Sequence, residues 1–297
     1  MKKNSGVVAL IIILSVFLVA LIGAFIYLLR NNDGFSFEFK TKEMNLIDSI
    51  EKNSTEVNKV KFDLGSIDVE IKENENDTVK IEYYSSKESD DKFEFDNSTI
   101  IFNESNSVCF GICNNRKKII VYLSNSYIGD LDFELKSGDV SSKLDLSNSK
   151  ISIKSSSGDI ILNKVGNVTM STSSGDVKVD SIFDGKITTS SGDVKINDVS
   201  NSLNLKTTSG DILITSLDTN KKSSISTTSG DVAIISLNIK EDSSIDTTSG
   251  DVTITENLSK CYIQTKTTSG DSFIANNYRK SDIVLDVRTT SGDIFLK

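Results

Sequence analysis

From residue 131 onward, apolar and polar residues alternate on either side of a recurring Ser-Gly-Asp. Aligned on its nine glycines, Gly138, Gly158, Gly175, Gly192, Gly210, Gly230, Gly250, Gly270 and Gly292, the second residue after each is Val140, Ile160, Val177, Val194, Ile212, Val232, Val252, Ser272 and Ile294. The fifth residue before is usually apolar, as at Phe133, Ile153, Met170, Ile187, Leu205, Ile225, Ile245 and Val287, and the third before is usually threonine. A period of two on both sides of the glycine reads as strand, sharp corner, strand. β-Branched residues dominate and glycine recurs where a helix needs continuity, so a helical reading fails.

Successive marker glycines lie 20, 17, 17, 18, 20, 20, 20 and 22 residues apart, the signature of a stacked repeat array. Equivalent strands then lie in parallel, each rung about 4.8 Å above the last. The predicted fold is all-β: a single-stack parallel β-solenoid of about nine or more coils, occupying residues 131–297. Burying the four or so inward apolar side chains of one coil gains about 1.5–3 kcal/mol each, while ordering the coil costs about 1.5 kcal/mol per residue. Coils therefore fold only as a stack.

Upstream, KVKFDLGSIDVEIK, KFEFDNSTIIFNE and KKIIVYLSN also alternate, so residues 59–130 are expected to form an irregular β region that starts the solenoid and caps its first rung. Residues 31–58 are polar and weakly patterned and read as a linker. Residues 7–29, VVALIIILSVFLVALIGAFIYLL, carry no charge and are long enough for one N-terminal transmembrane helix. The apolar run exceeds that of a cleavable signal peptide, and no convincing small-x-small cleavage site follows. Lys2 and Lys3 outnumber Arg30, which places residues 1–30 as a cytoplasmic tail and single-pass cell-membrane anchor, with the C-terminal domain extracellular.

Charge narrows the partners. The chain has a net charge of −9 with no histidine, proline or tryptophan. Beyond residue 30 it carries 30 basic against 42 acidic residues, or −12. Nucleic acid is excluded as a partner, since binding it takes clustered Lys and Arg. Without histidine the commonest proton shuttle and metal ligand are missing.

An N-terminal anchor, an alternating region ending in KKIIVYLSN and then successive TTSGDV repeats resemble the bacterial putative-adhesin domain family of unknown function, including its Lia-type envelope-stress proteins. The likeness spans residues 59–297, with Ser124 where the family has proline. It implies a β-solenoid displayed at a cell surface and a role in envelope-stress signalling, and it supplies no active site.

The aspartates that follow the glycines form a column in which like charges crowd, so each needs an offsetting interaction. One reading has each Asp accepting N–H bonds at its own corner, as in Asx turns. The other is a calcium ladder, with Asp211, Asp231, Asp251 and Asp271 as candidate ligands. Calcium-binding β-roll repeats carry more glycines and a tighter period, which favours the corner reading and no cofactor. Repeated Ser and Thr without a histidine base give no nucleophile, so no catalytic residue is expected.

The residue three after each glycine should face outward. This column includes Leu213, Phe273 and Phe295 as partner-binding candidates, with the two rings side by side near the free end. Cys109 and Cys113 read either as a local disulfide or as two free thiols, and Cys261 as a small buried residue. The chain stops at Lys297 directly after a strand, so the last rung is expected to present unpaired backbone for self-association. The sequence thus points to a non-enzymatic, membrane-anchored surface protein, an adhesin-like interaction or structural rod binding a protein or cell-wall partner. The alternative is an envelope-stress regulator acting through a membrane partner.

Overall fold

The computed structural model describes residues 43–105, 115–124, 126–275 and 277–297. The predicted anchor and the Cys109–Cys113 pair lie outside these residues, and among the described residues no helix is long and apolar enough to cross a membrane. Residues 44–297 form one compact unit. It is all-β, and among the described residues the one helical turn is a 3-10 turn at Ser54–Glu56.

Its chain begins with β1 (Asn45–Asn53), within the stretch read as linker, then β2 (Lys59–Ser66), β3 (Asp68–Glu73) and β4 (Thr78–Ser85). After these come β5 (Glu94–Asp96), β6 (Thr99–Asn103), β7 (Lys117–Leu123) and β8 (Asp130–Ser137). The repeats then form β9 (Val140–Ser157), β10 (Ile160–Ser174), β11 (Val177–Ser191) and β12 (Val194–Lys206), each long enough to run from one marker corner to the next. Later coils are split into two shorter strands: β13 (Ile212–Thr219), β14 (Ser224–Ser226), β15 (Val232–Ile239) and β16 (Ser243–Asp246). The chain ends with β17 (Val252–Asn257), β18 (Tyr262–Lys266), β19 (Ser272–Ile274), β20 (Val284–Arg288) and β21 (Ile294–Leu296).

Every repeat strand pairs in parallel with its counterpart one rung away, which is the predicted solenoid. After the corner, Val69, Val140, Ile160, Val177, Val194, Ile212, Val232, Val252 and Ile294 stand in one register file and are buried. Before it, Phe62, Phe133, Ile153, Met170, Ile187, Leu205, Ile225, Ile245 and Val287 form a second buried file. The two files meet across the inside of each coil, and a third buried file, Leu146, Val165, Ile182, Val199, Leu217 and Leu237, completes the core beside them.

Neither end follows chain order. At the start, β2 lies between β6 and β8, and β3 between β7 and β9, so the first coil in sequence sits one rung inside the stack. That end is closed by strands running the other way: β4 on β7, β1 on β4 and β5 on β6. Beneath them Phe62 stacks on Phe133 at 4.9 Å, and Phe102 lies 4.8 Å from Phe93 and 4.9 Å from Tyr83. Antiparallel strands over a bulky aromatic layer end the pattern without leaving a bare parallel edge.

At the other end the expectation of an open last strand is overturned. β21 is held between β17 and β19, and β20 between β16 and β18. The last coil in sequence is therefore internal, and the Gly270 coil, which precedes it in sequence, ends the stack. The cause is the inward pair of that coil. Thr265 and Ser272 occupy the positions that are apolar in its neighbours, next to Val287 and Ile294. Inside the stack two hydroxyls would face hydrocarbon on both sides; at the end they meet water.

Candidate functional site

The corner shows why Ser-Gly-Asp is repeated. A Cβ on Gly230 would stand 2.2 Å from the carbonyl oxygen of Gly210, and one on Gly192 would stand 2.1 Å from that of Gly175. Backbone passes over backbone at this point in every rung, and only glycine leaves the room. The first corner carries Ile67, whose carbonyl lies 2.2 Å from where a Cβ of Gly138 would be. It is the rung from which the glycine file starts.

The aspartates form a ladder between rungs, which corrects the expectation of Asx turns within each corner. Asp139 N–H donates to Asp68 Oδ1 at 3.1 Å, and Asp159, Asp176, Asp193, Asp211 and Asp231 each donate to the preceding aspartate at 2.9 Å. Asp251 on Asp231, Asp293 on Asp251 and Asp271 on Asp293 complete it at 2.8 Å. Each carboxylate before the terminal Asp271 thus accepts a charge-assisted bond from the next rung, which offsets the crowding of like charges. The calcium candidates Asp211, Asp231 and Asp251 each use Oδ1 in this ladder, and Asp271 stands at its end. Among the described residues no group of three or more His, Cys, Asp and Glu side chains is placed to hold a metal ion.

The threonine column is also structural. Thr227, Thr247, Thr289 and Thr267 donate to the carbonyls of Gly210, Gly230, Gly250 and Gly292 at 3.1–3.4 Å. The hydroxyls of Thr172, Thr189 and Thr207 are buried without a partner. The chain has no histidine to serve any of them as a base.

The outward file runs in register through Leu213, Ala233, Thr253, Phe295 and Phe273. Leu213 is half-buried beside Lys195 and Ala233, while Phe295 is 42 % and Phe273 54 % exposed. The two rings are neighbours on the last two rungs. Cys261 is buried, and burial pushes its thiol above the ordinary range.

The sequence reading missed how this end is closed. Ile263 N–H donates to Asn277 Oδ1 at 3.0 Å, and Asn277 Nδ2 donates to Ile263 O at 2.9 Å. One side-chain amide takes the place of an absent neighbouring strand on the edge of β18. The signal for it was compositional: residues 275–282 break the alternation and depart from the repeat.

Comparison with known proteins places the chain. The family described as Toastrack DUF4097 matches residues 57–297, and the chain belongs to it. This agrees with the putative-adhesin resemblance carried by the repeats. Among curated proteins none matches. Among solved structures, a putative lipid binding protein from Parabacteroides distasonis is 15 % identical, with 84 % of this chain and 99 % of that one covered and a TM-score of 0.48. A putative adhesin from Bacteroides fragilis is 13 % identical, with 86 % and 99 % covered and a TM-score of 0.42. A putative adhesin from Parabacteroides merdae is 15 % identical, with 82 % and 95 % covered and a TM-score of 0.41.

Proposed function

We propose that the chain is a membrane-anchored, cell-surface protein whose solenoid is a non-enzymatic, adhesin-like interaction rod. The observation that carries this reading is the pair Phe273 and Phe295, in register on adjacent rungs and both exposed at the end of the stack remote from β1. Aromatic rings held on a rigid sheet and left in water are the usual anchors of a protein contact. The polar repeat residues support it from the other side, because the aspartates and four of the seven threonines in their column are engaged in holding rungs together. The anchor itself rests on the uncharged run 7–29.

The test is capture from membrane and wall fractions by the full-length chain and by F273S/F295S. Loss of capture with an unchanged melting temperature supports the reading, and undiminished capture rejects the aromatic pair. The nature of the captured partner decides between rod and regulator: wall polymer or a foreign surface fits adhesion, and a membrane-embedded sensor fits the envelope-stress alternative.

A further inference from the structure

Charge is segregated along this chain. Residues 258–297 hold six basic and four acidic residues, a net of +2, whereas residues 31–257 hold 24 basic and 38 acidic, a net of −14. Three of those six cations, Lys260, Arg279 and Lys280, line one open cleft of about 460 Å³ together with Tyr278 and Ser281. All three are exposed, and among the described residues none has a carboxylate within ion-pair distance. Arg288, by contrast, is neutralised by Asp286 on its own strand.

The cleft is held in place by backbone. Tyr278 N–H donates to Cys261 O at 3.2 Å, Ser281 N–H closes the turn onto Tyr278 O at 2.9 Å, and the Asn277 amide clamps the preceding residue to Ile263. The turn that carries Arg279 and Lys280 is thereby fixed beside Lys260 at the head of β18. Tyr278 remains 48 % exposed.

We propose that this cleft binds an anionic polysaccharide, a sugar ring lying against Tyr278 and its acidic substituents pairing with Lys260, Arg279 and Lys280. An aromatic face offers apolar surface with a polar tip, which suits the mixed faces of a sugar. The flanking guanidinium and ammonium groups suit sulfate, phosphate or carboxylate. The acidic body of the solenoid repels such a polymer elsewhere and directs it to this end.

The full-length chain in zwitterionic detergent is titrated with dextran sulfate, neutral dextran and inorganic polyphosphate at physiological salt. Binding of dextran sulfate, absent for neutral dextran and weaker for polyphosphate, is expected. K260Q/R279Q/K280Q should weaken it at least tenfold and Y278A several-fold, with melting temperature unchanged because all four side chains are exposed. No binding by the wild-type chain overturns the proposal, as does binding that survives the triple variant or that Y278A leaves untouched. Polyphosphate bound as tightly as dextran sulfate, or binding to phosphatidylglycerol vesicles in place of the polysaccharide, also overturns it. F273S/F295S should leave dextran sulfate binding intact, so this site and the aromatic pair fail separately.

Discussion

Ser272 Oγ donates to Thr265 Oγ1 at 3.0 Å, joining two strands of one coil across the place where every inner rung has hydrocarbon. This bond marks the end of the stack. The two hydroxyls satisfy each other and leave their remaining hydrogen-bonding capacity to water, so at these two positions the terminal coil offers a neighbour no apolar side chain to cover. A parallel edge whose inner side is polar is protected against further stacking.

It follows that T265I/S272V should remove the protection. The last rung then presents the same apolar files as its neighbours, and two copies gain by bringing those ends together. We expect self-association at least tenfold tighter than that of the wild-type chain, read by sedimentation at increasing concentration. A variant that stays as monomeric as the wild type would show that the hydroxyl pair does not limit the stack.

Most of the fold was legible because the repeat reports its own geometry. Val232 above Ile212 and Ile245 above Ile225 follow directly from aligning glycines, since period-two alternation leaves each side chain only one face. The order of coils was not legible by the same means. Chain order and stacking order differ at both ends, and alignment on glycine treats Gly270 and Gly292 as equivalent. The discriminating signal was present at Ser272 and Thr265, where both apolar files are broken in one coil, and it becomes a statement about position only when the cost of burying two hydroxyls is considered. The aspartate column is plain in the sequence, but its hydrogen-bond partners are not. A carboxylate beside a glycine bonds within its own corner or to the next rung at the same spacing in sequence, and only the corner geometry separates the two.

The glycine file gives the largest expected loss of stability. In G230A the new methyl would meet the Gly210 carbonyl, a backbone group held by its own rung, at 2.2 Å. Neither rung can withdraw without parting the pairs on both sides, so the cost should exceed about 3 kcal/mol. G185A is the comparison. There the methyl meets the side chains of Ile182 and Leu203 at 3.0 Å, which adjust by rotation, and the loss should stay below about 1.5 kcal/mol. Urea melts of the two variants that fall in the opposite order would refute the close-approach argument.

The aspartate ladder separates acceptor from charge. In D231N an amide oxygen remains to accept the Asp251 N–H, now 2.8 Å from Asp231 Oδ1, while the repulsion from neighbouring carboxylates disappears. Stability should change by less than about 0.5 kcal/mol. D231A removes the acceptor and should cost about 1–2 kcal/mol. If calcium held the file together, D231N would instead cost as much as D231A, and chelation with EDTA would lower the melting temperature of the wild type, which is expected to be unmoved.

Acid should weaken the fold at Asp145. The bonds from Lys164 and from the Ser147 hydroxyl hold the Asp145 carboxyl down from 3.8 to about 2. A carboxylate with a depressed folded-state pKa contributes stability that is complete above its unfolded value and fades as pH falls through the folded one. The difference between the wild type and D145N should therefore be constant at neutral pH, shrink from about 3.8 downward and vanish only below about 2. Lys164 lies 2.7 Å from Asp145 with both side chains about half exposed, so solvent screening limits the contribution to about half a kcal/mol. Denaturant melts at closely spaced pH values resolve a difference of that size. A gap between the two proteins that widened on acidification would mean that Asp145 is held by something other than its negative charge.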